Sequence, residues 1–483
     1  MAGQAHYTSA APSADAPHGG FRFTAVSPTA RPALDVLRPL TAYARPPGAD
    51  RDRPFPVAFA YDRPGDDAAV LTRTRFTGED YTGRWGNHFC HALYAAPGEL
   101  AGVRPVELWD TPHWAPAPDV GQNLPDLTPL VPGTAVGPDR VDHLLAGLGD
   151  PGVRLLERLL TVALRALAGE GPGATLVAAD TDRVVDWIAA VSYPLPAGLA
   201  ARLTFTTYTA RPQDDHRHLT GTRPETGERA TGPVFHLDRL AADGCPEPSL
   251  TARFLAGALA GGRLDLLDAV ADLWDAGPGD GAEAGVRRLR AGCALLAPDG
   301  DAGTFGGEGA RLADFVHAVA ELRPQEAGLA PERLRDAAAR HLAAGTAPLG
   351  DVSAALAPLP EPYRPAVLAG LLAALEASAE LRTAALDTEA CASLASLADD
   401  APDLLAATPA TALHVLRRAP GEPRQAALRI LRLFRQGLWE ETETYEALRD
   451  LVRAEEPEPE PEPERAPRLL WRRGSARSAQ DKE

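Results

Sequence analysis

The chain has 483 residues and a formal net charge of −18 at pH 7, which argues against a nucleic-acid partner because phosphates would be repelled at long range. Among its 48 basic residues only Lys482 is a lysine, so the body of the chain can hold neither a GxxxxGK[ST] phosphate-binding loop nor a lysine that forms an imine with pyridoxal phosphate. The length predicts roughly two to four domains.

The cysteine spacing and the hydropathy pattern indicate a protein of the cytoplasm. Cys90, Cys245, Cys293 and Cys391 are far apart and form no CxxC pair, which favours reduced thiols over a disulfide framework or a structural zinc site. The N-terminal residues lack the basic and apolar regions of a signal peptide. The longest apolar run, at 366–375, is far shorter than the roughly 20 residues that cross a bilayer. We therefore predict a cytoplasmic protein with no membrane partner.

Residues 1–135 predict a β-rich N-terminal domain. Short segments rich in β-branched and aromatic residues, bounded by proline, glycine and aspartate, predict strands at 6–10, 21–27, 55–61, 69–76 and 103–109. The third and fourth of these strands, joined by a polar loop, predict a hairpin. Residues 33–43 predict one helix, which Pro39 would end or kink. From Thr111 to about Arg140 the chain is dense in proline and glycine and predicts a connector.

Residues 136–244 predict a small α/β middle domain. Apolar residues have helical spacing at 153–169 and again at 181–193, and a continuous apolar run between them, at 174–180, predicts a buried strand. Two short extended segments follow at 202–209 and 233–237. An order of helix, strand, helix and strand is typical of an α/β domain.

Residues 245–454 predict an all-α helical array, because amphipathic stretches follow one another and are separated by proline and glycine. The short connections imply antiparallel neighbours, although no strict repeat period is present. Residues 455–464 hold six glutamates and four prolines and predict an extended polyproline-II spacer. The spacer and the basic residues that follow it together predict a disordered tail over 455–483. The alternative is a short docking motif with Trp471 as its anchor.

The stretch GRWGNHFCHALYA at 83–95 contains the densest group of chemically reactive side chains. If it is a strand, His88 and Cys90 share one face and His91 lies on the other, so the three do not form one site. If it is a helix, His91 shares a face with Asn87 and with His88, yet zinc still lacks a third and a fourth ligand. Both structures favour buried polar groups with backbone partners over a metal site or a Cys90 nucleophile.

Two further groups are candidates for ligand binding. Asp180 and Asp182 follow a predicted strand where it gives way to a helix, and ligands gather at such strand ends in α/β sheets. Helix capping explains both carboxylates without a further partner, and we favour it. The segment DDHRH at 214–218 is similarly assigned to a solvated turn rather than to a metal site. No GxSxG motif is present, and we predict no metal and no cofactor.

Four stretches together resemble the GTPase-associated protein 1 family of high-GC bacteria: HYTSA at 6–10, GRWGNHFCHAL at 83–93, DRVVDWIAAVSYPLP at 182–196 and RLTFTTYT at 202–209. The resemblance covers about residues 1–240 and implies an N-terminal domain, a middle domain and a variable helical C-terminal part. Asn87 and His91 match the N-terminal motif, and Trp187 and Tyr193 match the middle motif.

The resemblance implies a non-catalytic adaptor or regulator that acts beside a GTPase in a bacterial NTP-dependent conflict or stress-signalling system. The partners would be proteins, among them a separate P-loop GTPase, and candidate partner-binding residues are Trp187, Tyr193 and Trp471. The alternative is a hydrolase or effector whose active site surrounds His91, with Asn87 beside it. In a third hypothesis the helical array binds peptides and the N-terminal half is only a cap.

Overall fold

The computed structural model describes residues 1–13, 17–48, 54–119, 123–127, 129–275, 281–296 and 322. Across these residues no helix combines the length and the apolar character needed to cross a membrane. The predicted helices beyond residue 296, the Glu/Pro spacer and Trp471 lie outside the described residues.

In the part of the chain that the structure describes, ten strands form one sheet. They are β1 (Gly3–Ala10), β2 (Gly20–Val26), β3 (Ala58–Gly65), β4 (Ala68–Glu79), β5 (Trp85–Ala95), β6 (Ala174–Val177), β7 (Phe205–Thr206), β8 (Leu219–Thr222), β9 (Val234–His236) and β10 (Ala241–Asp243). Their spatial order is β10-β9-β6-β8-β7-β3-β4-β5-β1-β2. The strands of the N-terminal and middle regions therefore belong to a single sheet.

The first five strands form the antiparallel, β-rich N-terminal region that the sequence predicts. The predicted hairpin is confirmed as β3 paired with β4, and β5 lies between β4 and β1. The stretch GRWGNHFCHALYA therefore forms a strand, from Trp85 onward, in the interior of the sheet and not a helix. The predicted strand at 103–109 is wrong. Pro105–Leu108 is a 3₁₀ helix, because Pro105 suits its first turn and Glu107 accepts the backbone N–H of Arg104.

The middle region contributes parallel strands, as in an α/β fold. β8 and β9 lie on either side of β6 and run parallel to it, while β7 pairs with β8 and, in antiparallel register, with β3. The predicted strand at 202–209 shortens to Phe205–Thr206. The regular ladder ends there because the hydroxyl of Thr207 accepts the N–H of Phe59, at 2.9 Å, in place of a backbone carbonyl.

The described helices are α1 (Leu34–Leu37), α2 (Pro138–Leu167), α3 (Thr181–Ser192), α4 (Ala197–Ala200), α5 (Pro224–Gly227), α6 (Leu250–Ala260), α7 (Leu264–Asp275) and α8 (Ala282–Leu296). Two predicted helices change. The one at 33–43 is divided, because α1 stops at Leu37 and a 3₁₀ helix containing Pro39 follows. The one at 153–169 begins earlier, and Gly149 (φ 59°) breaks α2 into two helical pieces.

Apolar helix faces cover the middle part of the sheet. Leu156 and Leu159 on α2 and Val185 and Ile188 on α3 are fully buried, and the two helices pack against each other. Helix α6 packs along α2, and α8 packs against α6 and α7. The described residues include these three helices of the predicted all-α array at 245–454, and the array itself stays a prediction.

Candidate functional site

The two faces of β5 are covered by different segments. Residues 31–41, which include α1, lie over the face that holds His88, because the Nε2 atom of His88 lies 3.2 Å from the carbonyl oxygen of Thr41. Residues 111–119, here called the strap, lie over the opposite face. There the ring of Trp114 stands edge-on to that of His91, with centroids 5.3 Å apart. His88 and His91 therefore lie on opposite sides of the sheet, and the three polar residues of the motif do not form one site.

On the strap side, His91 has a partner that the sequence pattern did not single out. His6 on β1 is directly opposite His91 in the β1–β5 register, and their rings are T-shaped at 4.7 Å. Both side chains are buried. The signal available in the sequence was a histidine in the predicted strand 6–10, but nothing in the sequence says which strand pairs with which.

Both histidines hold the strap by accepting hydrogen bonds from its backbone. The Nδ1 atom of His91 accepts the N–H of Ala115 at 2.9 Å, and the Nδ1 atom of His6 accepts the N–H of Asp119 at 2.9 Å. With Nδ1 as an acceptor, the neutral ring of His91 carries its proton on Nε2, and that atom lies 3.0 Å from Oε1 of Gln4. The histidines thus act as fixed acceptors on a buried sheet face, a role that phenylalanine could not fill.

The protonation state agrees with this structural role. Burial, with a smaller contribution from nearby His6, lowers the pKa of His91 to about 3. Burial also lowers the pKa of His6, against the opposing effect of Asp119. Protonation would place an N–H at each Nδ1 atom, against the strap amide that it accepts. The Nε2 atom of His6 is buried without a hydrogen-bond partner among the described residues, and the ring stands edge-on to Phe89 as well as to His91.

The other motif residues are also engaged. The side-chain oxygen of Asn87 accepts the N–H of Ser9 at 3.2 Å and so ties β5 to β1. Burial raises the pKa of Cys90 to about 12, which keeps the thiol protonated near neutral pH and opposes a nucleophilic role. A catalytic role for Asn87 and His91 stays a prediction.

The motif of the middle domain contacts the N-terminal domain outside the sheet. The Tyr193 hydroxyl donates to Oε1 of Glu107 at 2.8 Å, and the Arg104 guanidinium donates to the carbonyl oxygens of Ser192 and Tyr193 at the end of α3. Trp187 is fully buried within α3. A role in partner binding for Trp187 and Tyr193 stays a prediction, and the contacts of Tyr193 are to the N-terminal domain.

The acidic side chains of the two further candidate groups, at 180–182 and at 214–218, have structural partners. Asp180 is the N-cap of α3, and its Oδ1 atom accepts the N–H of Asp182 at 3.1 Å, which confirms the predicted cap. In the 214–218 segment, Arg217 donates to both oxygens of Asp62 on β3 and to Asp215. Burial raises the pKa of Asp62 despite this guanidinium. Within the described ranges no group of three or more His, Cys, Asp or Glu side chains is placed to hold a metal ion.

A shared sheet and a buried, hydrogen-bonded polar motif join the N-terminal and middle regions into one structural unit, which the motif residues help to hold together. Residues 1–130 match the GTPase-associated protein 1, N-terminal domain type 2, and residues 144–242 match the GTPase-associated protein 1, middle domain. These two matches confirm the resemblance to the GTPase-associated protein 1 family over about residues 1–240.

Among curated proteins, the chain is similar to the proposed ESX-1 scaffolding and assembly protein SaeB of Mycolicibacterium smegmatis. The identity is 30% over 182 residues in strain ATCC 700084 and 29% over 182 residues in strain MKD8. The match covers 37% of this chain and 22% of each relative, so the chain spans about a fifth of the length of these relatives. No solved structure matches the chain significantly.

Proposed function

We propose that the chain is a non-catalytic adaptor that acts beside a separate P-loop GTPase and helps to assemble a multi-component bacterial system. Three facts support this proposal. The chain has both GTPase-associated protein 1 domains, its relatives carry a name for scaffolding and assembly, and its single lysine lies at position 482. A phosphate-binding loop needs a lysine within the nucleotide-binding domain, so the proposal assigns GTP hydrolysis to another chain.

The observation that carries the proposal is the state of the N-terminal motif. Both ring nitrogens of His91 have protein partners, the ring is buried, and its pKa lies near 3. A general base works best with a pKa near the working pH and with room for a substrate beside it. In this chain Nδ1 of His91 holds the strap onto the sheet, and Nε2 contacts the side chain of Gln4 on β1. The motif thus supports a rigid sheet that presents its surfaces to partners.

In this proposal the chain keeps the predicted division into residues 1–135, 136–244, 245–454 and 455–483. The first two parts form the platform, the helical part offers a second surface, and Trp471 is a candidate anchor for a partner. We propose a bacterial NTP-dependent conflict or stress-signalling system as the setting, because the resemblance to the GTPase-associated protein 1 family implies it.

The test is a pull-down of the full chain, tagged at one end, from the cells that naturally express it. We expect mass spectrometry to recover a P-loop GTPase above the level seen with the tag alone, and titration calorimetry of the purified chain with GTP to show no binding. Recovery of no nucleotidase from native or cross-linked cells would remove the support for the adaptor role. Stoichiometric GTP binding by the purified chain would contradict it directly.

A further inference from the structure

A cavity of about 620 Å³ opens at the carboxyl ends of the parallel strands. Its lining includes Val177, the last residue of β6, and His236, the last residue of β9. Pro224, two residues after the end of β8, and the turn that follows β9 also line it. Because β6, β8 and β9 are parallel, the segments that follow them meet at one edge of the sheet, which is where α/β sheets bind their ligands. The volume lies within the range of pockets that bind small ligands.

Val177, Val234 and Gly227 form an apolar part of the lining of this cavity. Val177 and Val234 lie on the same sheet face, since Val177 is in register with His236, two residues from Val234. Helix α5 closes the cavity from above, and Gly227 lies so near β6 that a Cβ atom there would come within 3.0 Å of the Val177 side chain. Val177 and Gly227 are buried, and Val234 is half-buried.

Acidic groups surround the opening of the cavity. Glu228, Asp238 and Asp243 line it and are exposed, against one guanidinium, that of Arg239. Asp238 is oriented by the N–H of Ala179, which donates to its Oδ2 atom at 2.9 Å. Among the described residues, Glu228 and Arg239 take part in no ion pair with each other or with another group. The Oδ2 atom of Asp243 lies 3.1 Å from Nε2 of His236. This leaves the carboxylates of Glu228 and Asp238 against the single guanidinium of Arg239, so the opening attracts positive charge.

The turn between β9 and β10 holds part of this opening in an unfavourable backbone conformation. Leu240 has a φ of 51°, the only positive φ of a non-glycine residue among the described residues. This left-handed conformation costs a branched or bulky residue free energy, and it persists where surrounding structure enforces it. Asp238 and Arg239 directly precede this residue and belong to the same turn.

We propose that the cavity binds an arginine or lysine side chain presented by a protein partner; this rests on the proposed adaptor function. The methylene stem of such a side chain would lie on Val177 and Val234, while its charged head would reach Glu228 and Asp238 at the opening. A neutral apolar side chain would leave the carboxylates without a counter-charge. A phosphate or carboxylate ligand would be repelled by them.

The test measures binding to the full chain by saturation-transfer difference NMR. The probes are Nα-acetyl-arginine amide and Nα-acetyl-lysine amide, and Nα-acetyl-citrulline amide matches the shape of the first without its charge. We expect saturable signals from both cationic probes and signals about fivefold weaker from citrulline, the factor that a favourable exposed ion pair can supply. Equal binding of arginine and citrulline amides, or no binding of either cation, would overturn the proposal.

Variants locate the binding to this cavity. Glu228→Gln and Asp238→Asn should each weaken binding of the arginine probe about two- to fivefold, and the asparagine keeps an oxygen for the N–H of Ala179. Arg239→Ala should strengthen binding by a similar factor, because it removes the repelling cation. Glu225→Gln is the matched control on α5, since Glu225 is exposed but does not line the cavity. Unchanged binding in all three cavity variants would place the probe elsewhere and overturn the assignment.

Failure of the cavity can be told apart from failure of the adaptor role. If the pull-down recovers a GTPase equally well with the wild-type chain and the Glu228→Gln chain, and the cationic probe does not bind, only the cavity proposal is wrong. If the cationic probe binds but no nucleotidase is recovered, the adaptor role is refuted. The cavity then binds a cation, but nothing supports a protein partner as the source of that cation. Reduced recovery with Glu228→Gln, together with probe binding, supports both.

Discussion

Replacing His91 by alanine tests whether the N-terminal motif is structural or catalytic. The substitution removes the acceptor of the Ala115 N–H and the partner of the Gln4 side chain. Each buried polar group left without a partner costs about 1–3 kcal/mol. The N–H of Ala115 should cost about the lower of these values, because Ala115 is only half-buried. The lost ring contacts with His6 and Trp114 add about 2 kcal/mol for the cavity that remains. We expect the free energy of unfolding to fall by about 4 kcal/mol.

The assay is urea unfolding followed by tryptophan fluorescence, because Trp114 lies against His91 and senses release of the strap. His18→Ala is the matched control, since His18 is exposed, and should change the free energy by less than about 0.5 kcal/mol. If His91→Ala left the unfolding curve unchanged while it abolished an enzymatic activity, the structural role would be refuted. The hydrolase hypothesis would then take its place.

Three further substitutions test the pKa values and the contacts between the domains. Burial holds the pKa of His218 near 4 in the folded chain, whereas it is about 6.5 in the unfolded chain. Between these two pH values only the unfolded state binds the proton. Acidification therefore lowers the free energy of unfolding by up to about 1.4 kcal/mol per pH unit. His218→Gln should reduce the slope of unfolding free energy against pH between 6 and 4.5 by about that amount, measured by urea unfolding. Tyr193→Phe removes the hydrogen bond to Glu107 and should lower the free energy of unfolding by about 1–2 kcal/mol in the same assay. Asp62→Asn neutralises the carboxylate that pairs with Arg217 and should cost about 1–3 kcal/mol, seen as a lower melting temperature in calorimetry.

Each of these has an exposed counterpart as its control. His216→Gln, Tyr81→Phe and Asp66→Asn change side chains that are exposed, and each should stay within about 0.5 kcal/mol of the wild-type chain. A pH slope that His218→Gln does not alter would mean that this histidine titrates normally in the folded chain. Stabilities of Tyr193→Phe or Asp62→Asn equal to those of their controls would show that these contacts between the domains contribute nothing measurable.

The candidate site was predictable to the extent that it depends on local geometry. Alternation along a strand places His88 and His91 on opposite faces, and an aspartate before a helix caps it, as Asp180 does. The pairing of His6 with His91 joins residues 85 positions apart, and no local pattern specifies the register of two distant strands. The cavity was missed for the same reason, because its lining comes from segments that follow three different strands.

The sequence by itself determined the period-two strands of the first hundred residues, the helices of the middle region and the lack of a lysine for a phosphate-binding loop. These properties depend on residue type and near-neighbour spacing alone. Only the tertiary structure decided that β3 and β7 join two domains into one sheet, that the histidines hold the strap, and that charged groups gather around one cavity. Each of these depends on contacts between segments that the chain order leaves far apart.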